Sequence, residues 1–184
     1  MAKITPTIGV FAGIIEVING RLLLRRRTEE GSIIPGQSFL SCWELPGGGA
    51  MDQGEIPYSH LARELERELG EELGTSVDLN PMPQFFAVLF KGAKTYDLAL
   101  VTPIVVSSLF SPKGDVVWVS PIELDRLAKE FVAPDKDAKI AGRGLLGGYG
   151  KRMHCMALKS LEHSPNADFS SQARRMLVEI ENKW

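Results

Sequence analysis

The chain has 184 residues, of which 44% are apolar and 24% charged, with a formal net charge of -2. That length and composition suit one globular domain with a full hydrophobic core, expected to span residues 1 to 184. The near-neutral charge gives no support for binding long nucleic acid, which normally needs a basic surface.

Ile4 to Ile18 is fairly apolar, but Pro6 and Glu16 interrupt it and Arg25-Arg26-Arg27 follows soon after. It is too short to span a membrane and lacks a convincing small-residue cleavage site, so it reads as a strand. Ile8 to Ile18, then Asn19-Gly20, then Arg21 to Arg27 predicts a β-hairpin with a type I′ turn. Thr28 to Cys42 reads as a loop, either a functional lid or a surface insertion. Trp43 to Leu45 is a short apolar segment running into Pro46-Gly47-Gly48-Gly49.

From Tyr58 to Leu73 the pattern is helical, with Leu61, Leu65, Leu69 and Leu73 forming one stripe. Pro57 suits the first turn and Gly74 the position just past the end. Gly70, inside that span, costs about 1 kcal/mol relative to alanine and asks for a reason. Gln84 to Lys91 and Tyr96 to Val106 read as strands, as does Asp115 to Val119. Ser120-Pro121 opens a helix to about Phe131. The glycine-rich segment Gly142 to Gly150 precedes a last helix from Phe169 to Lys183. Strands and helices intermix, which predicts an α/β or α+β fold with helices on a central sheet.

Several signals carry little. Gly142-Arg143-Gly144-Leu145-Leu146-Gly147 matches G-x-G-x-x-G, but no strand precedes it in a βαβ context. Gly147 to Arg152 reads either as a basic flap over a nucleotide or, more simply, as a mobile linker. His60, His154 and His163 show no ligand spacing and receive no catalytic role. Cys42 and Cys155 have no metal-type spacing and read as reduced thiols of a cytoplasmic protein.

The acidic helix carries more. Glu64, Glu66, Glu68, Glu71 and Glu72 crowd one short stretch, and like charges four apart destabilise a free helix. Glu68, Glu71 and Glu72 would project from one side of a continuous helix. Magnesium and manganese take such carboxylate oxygens and often bridge them to phosphates. The alternative is a charged outer face without metal. The glycine loop just before the helix can approach a ligand closely, and the pair suggests metal-assisted chemistry on a phosphate ester.

This stretch resembles the Nudix box of the Nudix hydrolases, G-x5-E-x7-R-E-U-x-E-E-x-G-U, with U a bulky apolar residue. Trp43-Glu44-Leu45-Pro46-Gly47-Gly48 is similar to the segment that often leads into the box, and Trp118 to Leu124 to the W-V-S-P-x-E-L that follows it. Two registers fit. In the first, Gly49-x5-Glu55 is followed after seven residues by Arg63-Glu64-Leu65, but Arg67 stands where an acid belongs and Glu71 where an apolar residue belongs. In the second, Arg67-Glu68-Leu69-Gly70-Glu71-Glu72-Leu73-Gly74 fits R-E-U-x-E-E-x-G, with eleven residues between Glu55 and Arg67 and Thr75 in the last apolar place. The second is preferred, because Gly74 looks like the helix end and Gly70 like more helix. Glu68 belongs to the acid set in both.

The resemblance implies a Nudix-like α/β/α sandwich with a central mixed sheet. It implies a pyrophosphohydrolase that uses magnesium or manganese to cleave a nucleoside diphosphate linked to another group, of the nucleotide sugar, ADP-ribose or nucleoside triphosphate class. Glu68, Glu71 and Glu72 would hold metal with the Gly47 carbonyl, and Arg67 would orient the carboxylates. Glu71 or Glu72 would serve catalysis directly, with Asp115 a weaker candidate base, and Glu55 would support the loop. Arg26, Glu44 and Gly48 would lie at the substrate, although Arg26, like Lys91 and Lys94, also reads as a solvated surface charge. The partner would be a small nucleotide-derived substrate, without a membrane, and a homodimer is allowed. The competing reading is a Nudix-fold binding or regulatory module without catalysis.

Overall fold

A computed structural model describes residues 8–27, 41–48, 51–52, 54–70, 84–91, 96–107, 109–134 and 141–182. Thr28 to Leu40, the turn Gly92 to Thr95, and Glu71 and Glu72 lie outside the described residues.

The strands are β1 (Ile8–Glu16), β2 (Leu22–Arg26), β3 (Trp43–Glu44), β4 (Phe86–Lys91), β5 (Tyr96–Val106) and β6 (Val116–Val119). The helices are α1 (Pro57–Leu69), α2 (Pro121–Lys129), α3 (Arg152–Leu161) and α4 (Ala167–Glu181). The sheet runs β3-β2-β1-β5-β4, and β6 pairs with β2. β1 and β5 run parallel from Ile8 opposite Leu98 to Glu16 opposite Val106, while the other pairings are antiparallel. The sheet is therefore mixed, and the fold is α+β.

The pleat of β1 separates two cores. Val10, Ala12 and Ile14 pack with Leu61, Leu65 and Leu69 of α1. Phe11 and Ile15 pack with Met156, Ala157 and Leu161 of α3 and Ala173 and Ile180 of α4. Helices thus cover both faces, in an α/β/α arrangement.

α2 begins as its sequence predicts. Ser120 accepts from the Glu123 N–H, the Glu123 carboxylate accepts from the Ser120 N–H, and Pro121 fills the first turn. The first hairpin differs from expectation. Gly20 has φ +72°, but Asn19 is not in the positive-φ region, so the turn is not type I′. Instead the Gly20 N–H donates to the Glu16 carbonyl and the Glu16 N–H to the Arg21 carbonyl, a longer turn with a left-handed glycine.

Two further corrections bear on function. α3 is absent from the sequence expectation. It is enclosed by the sheet, α2 and α4, and Met153, His154, Met156, Ala157, Leu158 and Leu161 are all buried. The second correction is the end of α1. The helix stops at Leu69, not Leu73, and Gly70 takes the left-handed conformation at φ +63°, donating to the Glu66 carbonyl. The Leu69 carbonyl is capped from outside by the Lys113 N–H at 2.8 Å. Gly70 is therefore the stop residue, and its place after Leu69 has its reason.

Replacing Gly70 by alanine puts a Cβ in a left-handed position and 2.8 Å from Lys113 Cδ. Gly70→Ala is expected to cost about 1–2 kcal/mol in chemical denaturation. A neutral result would mean the helix does not end there.

Candidate functional site

Residues 71–74, which complete the second register, lie outside the described residues, while α1 ends at Gly70, the glycine of the first register. In that register Gly49, Glu55, Arg63-Glu64, Glu68 and Gly70 hold the box positions, and Arg67 stands in for an acid.

The glycine loop sits directly on this helix. Gly47 has φ +101°, and a Cβ there would lie 2.5 Å from the Val10 carbonyl oxygen. Only glycine lets the loop pack so close to β1. The loop is also stitched to that strand, by Ala12 N–H to Pro46 O at 2.9 Å and Gly48 N–H to Val10 O at 2.6 Å. The Gly47 N–H then donates to Glu68 Oε2 at 2.7 Å.

Glu68 Oε1 meets two guanidinium groups, Arg25 Nη2 at 2.7 Å and Arg67 Nη2 at 3.1 Å. The same Arg25 nitrogen reaches Glu44 Oε1 at 2.6 Å, and Arg27 Nη1 reaches Glu44 Oε2 at 2.9 Å. The Glu68 side chain is 1% exposed and that of Glu44 3%. Burial pushes the Glu68 carboxyl up to about 7, against the pull of Arg25, the Gly47 N–H and Arg67. Glu64 joins at the rim, 2.7 Å from Arg67 Nη2.

A second cluster holds the loop from its far side. Glu55 pairs with Arg63 Nη1 at 3.2 Å and accepts from the Asp52 N–H at 3.1 Å. His60 is 1% exposed, with Nδ1 3.0 Å from Glu55 Oε2 and Nε2 2.7 Å from the Gly48 carbonyl. A carbonyl only accepts, so Nε2 carries the proton. The Glu55 carboxyl is held below its usual range, chiefly by the Asp52 N–H and then by His60 and Arg63. The loop is fixed from a third direction. The buried Leu45 N–H donates to the Met153 thioether at 3.2 Å, and β3 pairs outward with the glycine-rich segment, Trp43 N–H to Gly144 O and Leu146 N–H to Trp43 O, both at 2.9 Å. The partners of β3 are Gly144 to Leu146, just before the Gly147 to Arg152 stretch read from sequence as a flap or linker.

Of the expected site residues, Gly47, Gly48, Glu44, Glu55, Arg67 and Glu68 come together. Arg26 does not join them. Strand alternation turns Arg25 and Arg27 to the carboxylates and Arg26 the other way, onto Asp115 at 2.6 Å and the Trp43 ring at 4.7 Å. Asp115 is thereby occupied away from the cluster. The sequence reading passed over Arg25, His60 and Met153. The signal for Arg25 was the period of two along Arg25-Arg26-Arg27; His60 and Met153 left none.

Among the described residues, no three His, Cys, Asp or Glu side chains form a metal-holding group. The donor chemistry still fits a hard divalent cation, because Glu68 and Glu64 offer carboxylate oxygens and Glu68 already holds cationic partners.

No family model matches the chain. The 8-oxo-dGTP diphosphatase of Haemophilus influenzae is 44% identical over 63 residues, covering 34% of this chain and 41% of that protein's length. Among solved structures, the MutT protein of Methanosarcina mazei Go1 superposes with a TM-score of 0.48 at 23% identity, covering 67% of this chain and 83% of that one. A Caenorhabditis elegans Ap4A hydrolase in a binary complex gives a TM-score of 0.48 at 10% identity, covering 96% and 98%. The NUDIX domain of Shewanella oneidensis NrtR, solved with ADP ribose, gives 0.46 at 17% identity, covering 66% and 77%. The chain thus spans less than half the length of the Haemophilus influenzae relative, and the 44% identity over that shared stretch supports the resemblance to the Nudix hydrolases.

Two measurements check this geometry. His60→Leu leaves the Gly48 carbonyl without its donor and is expected to cost about 1–3 kcal/mol in urea unfolding; no loss would mean the ring does not hold the loop. The raised Glu68 value means that the folded chain keeps a proton the unfolded chain has released. That contribution is present below pH 4.5 and is lost as the pH rises towards about 7. In metal-free protein, the melting temperature should fall across that window, and Glu68→Gln should flatten the fall. An identical slope in the variant would refute the assignment.

Proposed function

We propose that the chain hydrolyses the pyrophosphate bond of a nucleoside diphosphate linked to a further group, using magnesium or manganese. The observation that carries this reading is the Gly47–Glu68 contact, which seats the glycine loop on the acidic helix. Glu68 and Glu64, with the Gly47 carbonyl, would hold the metal. Glu71 and Glu72 remain in the proposed set for metal and base, although they lie outside the described residues. A bound metal would neutralise phosphate charge and activate the attacking water.

The chain's own residues prepare the site for that chemistry. Arg67 orients Glu64 and Glu68 from the helix surface. Arg25 and Arg27 fix Glu44 beside the loop, and guanidinium groups such as these suit phosphate oxygens. Glu55, Arg63 and His60 hold the loop backbone rather than meeting substrate. For substrate, we take an oxidised guanine deoxynucleoside triphosphate first, a choice supported by the named activity of the Haemophilus influenzae relative, with ADP-ribose and nucleotide sugars next. No described helix is long and apolar enough to cross a membrane. The free thiols of Cys42 and Cys155 support the cytoplasm as the working compartment.

A second reading rests on Arg67. In the register that ends at Gly70, this arginine replaces an acid, which favours a binding module without turnover. Formation of nucleoside monophosphate from a panel of 8-oxo-dGTP, ADP-ribose and nucleotide sugars, with magnesium or manganese, separates the two. Turnover is expected, reduced about 100-fold or more in Glu68→Gln. No turnover of any member by the wild type would favour the binding module, and undiminished turnover in the variant would remove Glu68 from the mechanism.

A further inference from the structure

We propose that Arg25 is the resident counter-cation of the Glu44 and Glu68 carboxylates, and that a divalent metal ion reaches Glu68 by displacing it. This rests on the reading that Glu68 holds metal.

One nitrogen, Arg25 Nη2, lies 2.6 Å from Glu44 Oε1 and 2.7 Å from Glu68 Oε1. It bridges two carboxylates on separate elements, β3 and α1, as a shared cation would. The three side chains are 10%, 3% and 1% exposed, so water screens the charges little. Without Arg25, the two buried carboxylates would face each other with less compensation.

The oxygen in question is fully engaged. Glu68 Oε2 accepts from the Gly47 N–H, while Oε1 takes Arg25 and, at 3.1 Å, Arg67. An incoming divalent ion at Oε1 would meet two positive groups within hydrogen-bond range of the same atom. One of them has to leave. Arg25 Nε is buried without a hydrogen-bond partner among the described residues, so that nitrogen loses no bond when the guanidinium leaves Glu68. Released from Glu68, it would still have Glu44, so the exchange keeps one ion pair and gives up the other. The loop stays on the helix through the Gly47 N–H whichever cation is present.

A purely structural tie would not compete with metal, and this separates the two cases. Mn2+ binding is read directly, by loss of the free-ion electron paramagnetic resonance signal on titration into the whole chain. Arg25→Gln is expected to bind Mn2+ about tenfold more tightly than wild type, since it removes a full charge beside the ion. Arg25→Lys, which keeps the charge, should stay near wild type, and Glu68→Gln should abolish the site. If Arg25→Gln does not fold by circular dichroism, Arg67→Gln removes a charge from the same oxygen at an exposed helix position and should tighten binding in the same direction. Equal or weaker Mn2+ affinity in the folded variant overturns the proposal, as does absence of Mn2+ binding in every protein tested. Failure of the hydrolase reading shows differently, as bound Mn2+ without nucleotide turnover.

Discussion

Everything in this site depends on burying the carboxylate of Glu68. Its two oxygens gather a loop amide, a strand arginine and a helix arginine, so β2, the glycine loop and α1 meet at one group. An ionised carboxylate this far from water is costly unless its lone pairs are filled. The neighbouring sequence supplies the partners. Gly47 can bring its amide close enough because a side chain there would strike the Val10 carbonyl. Arg25 reaches inward because β2 is pleated and pairs with β3 at Arg25 opposite Glu44. The cores on either side of β1 serve this junction by fixing α1 on one face and α3 on the other.

Charges around the loop nearly cancel. Glu44, Glu55, Glu64 and Glu68 are met by Arg25, Arg27, Arg63 and Arg67. The crowding of acids that stands out in the sequence is therefore answered largely from within the chain. Arg63 and Arg67 come from the same helix, as local spacing suggests, but Arg25 and Arg27 come from a strand about forty residues earlier. Composition and periodicity cannot show such a long-range match.

The elements with a local cause were legible beforehand. The helix start at Ser120-Pro121, the leucine stripe of α1 and the strand from Tyr96 to Val106 each write their structure within a few residues. The fold class followed from them. What stayed hidden depends on tertiary partners. Gly70 and Gly74 are both plausible helix stops by sequence, and the Lys113 amide capping Leu69 comes from a distant loop. α3, with Arg152, Lys159 and Glu162 along its half-buried side, had signals that the sequence reading did not use. Arg26 looked like the site residue until the pleat assigned inward positions to Arg25 and Arg27. His60 was dismissed for lacking ligand spacing, whereas its role is to tie a carbonyl to a carboxylate, which follows no spacing rule.

The pairing of β3 has a consequence beyond the site. A strand of two residues beside an open loop would ordinarily leave backbone groups free to recruit a foreign chain. Here Trp43 spends its amide on Gly144 and its carbonyl on Leu146, while β2 holds the other side. The segment carrying Glu44 therefore offers no open border. It is guarded against strand exchange between molecules by a stretch of glycines that, from the sequence, looked least able to guard anything.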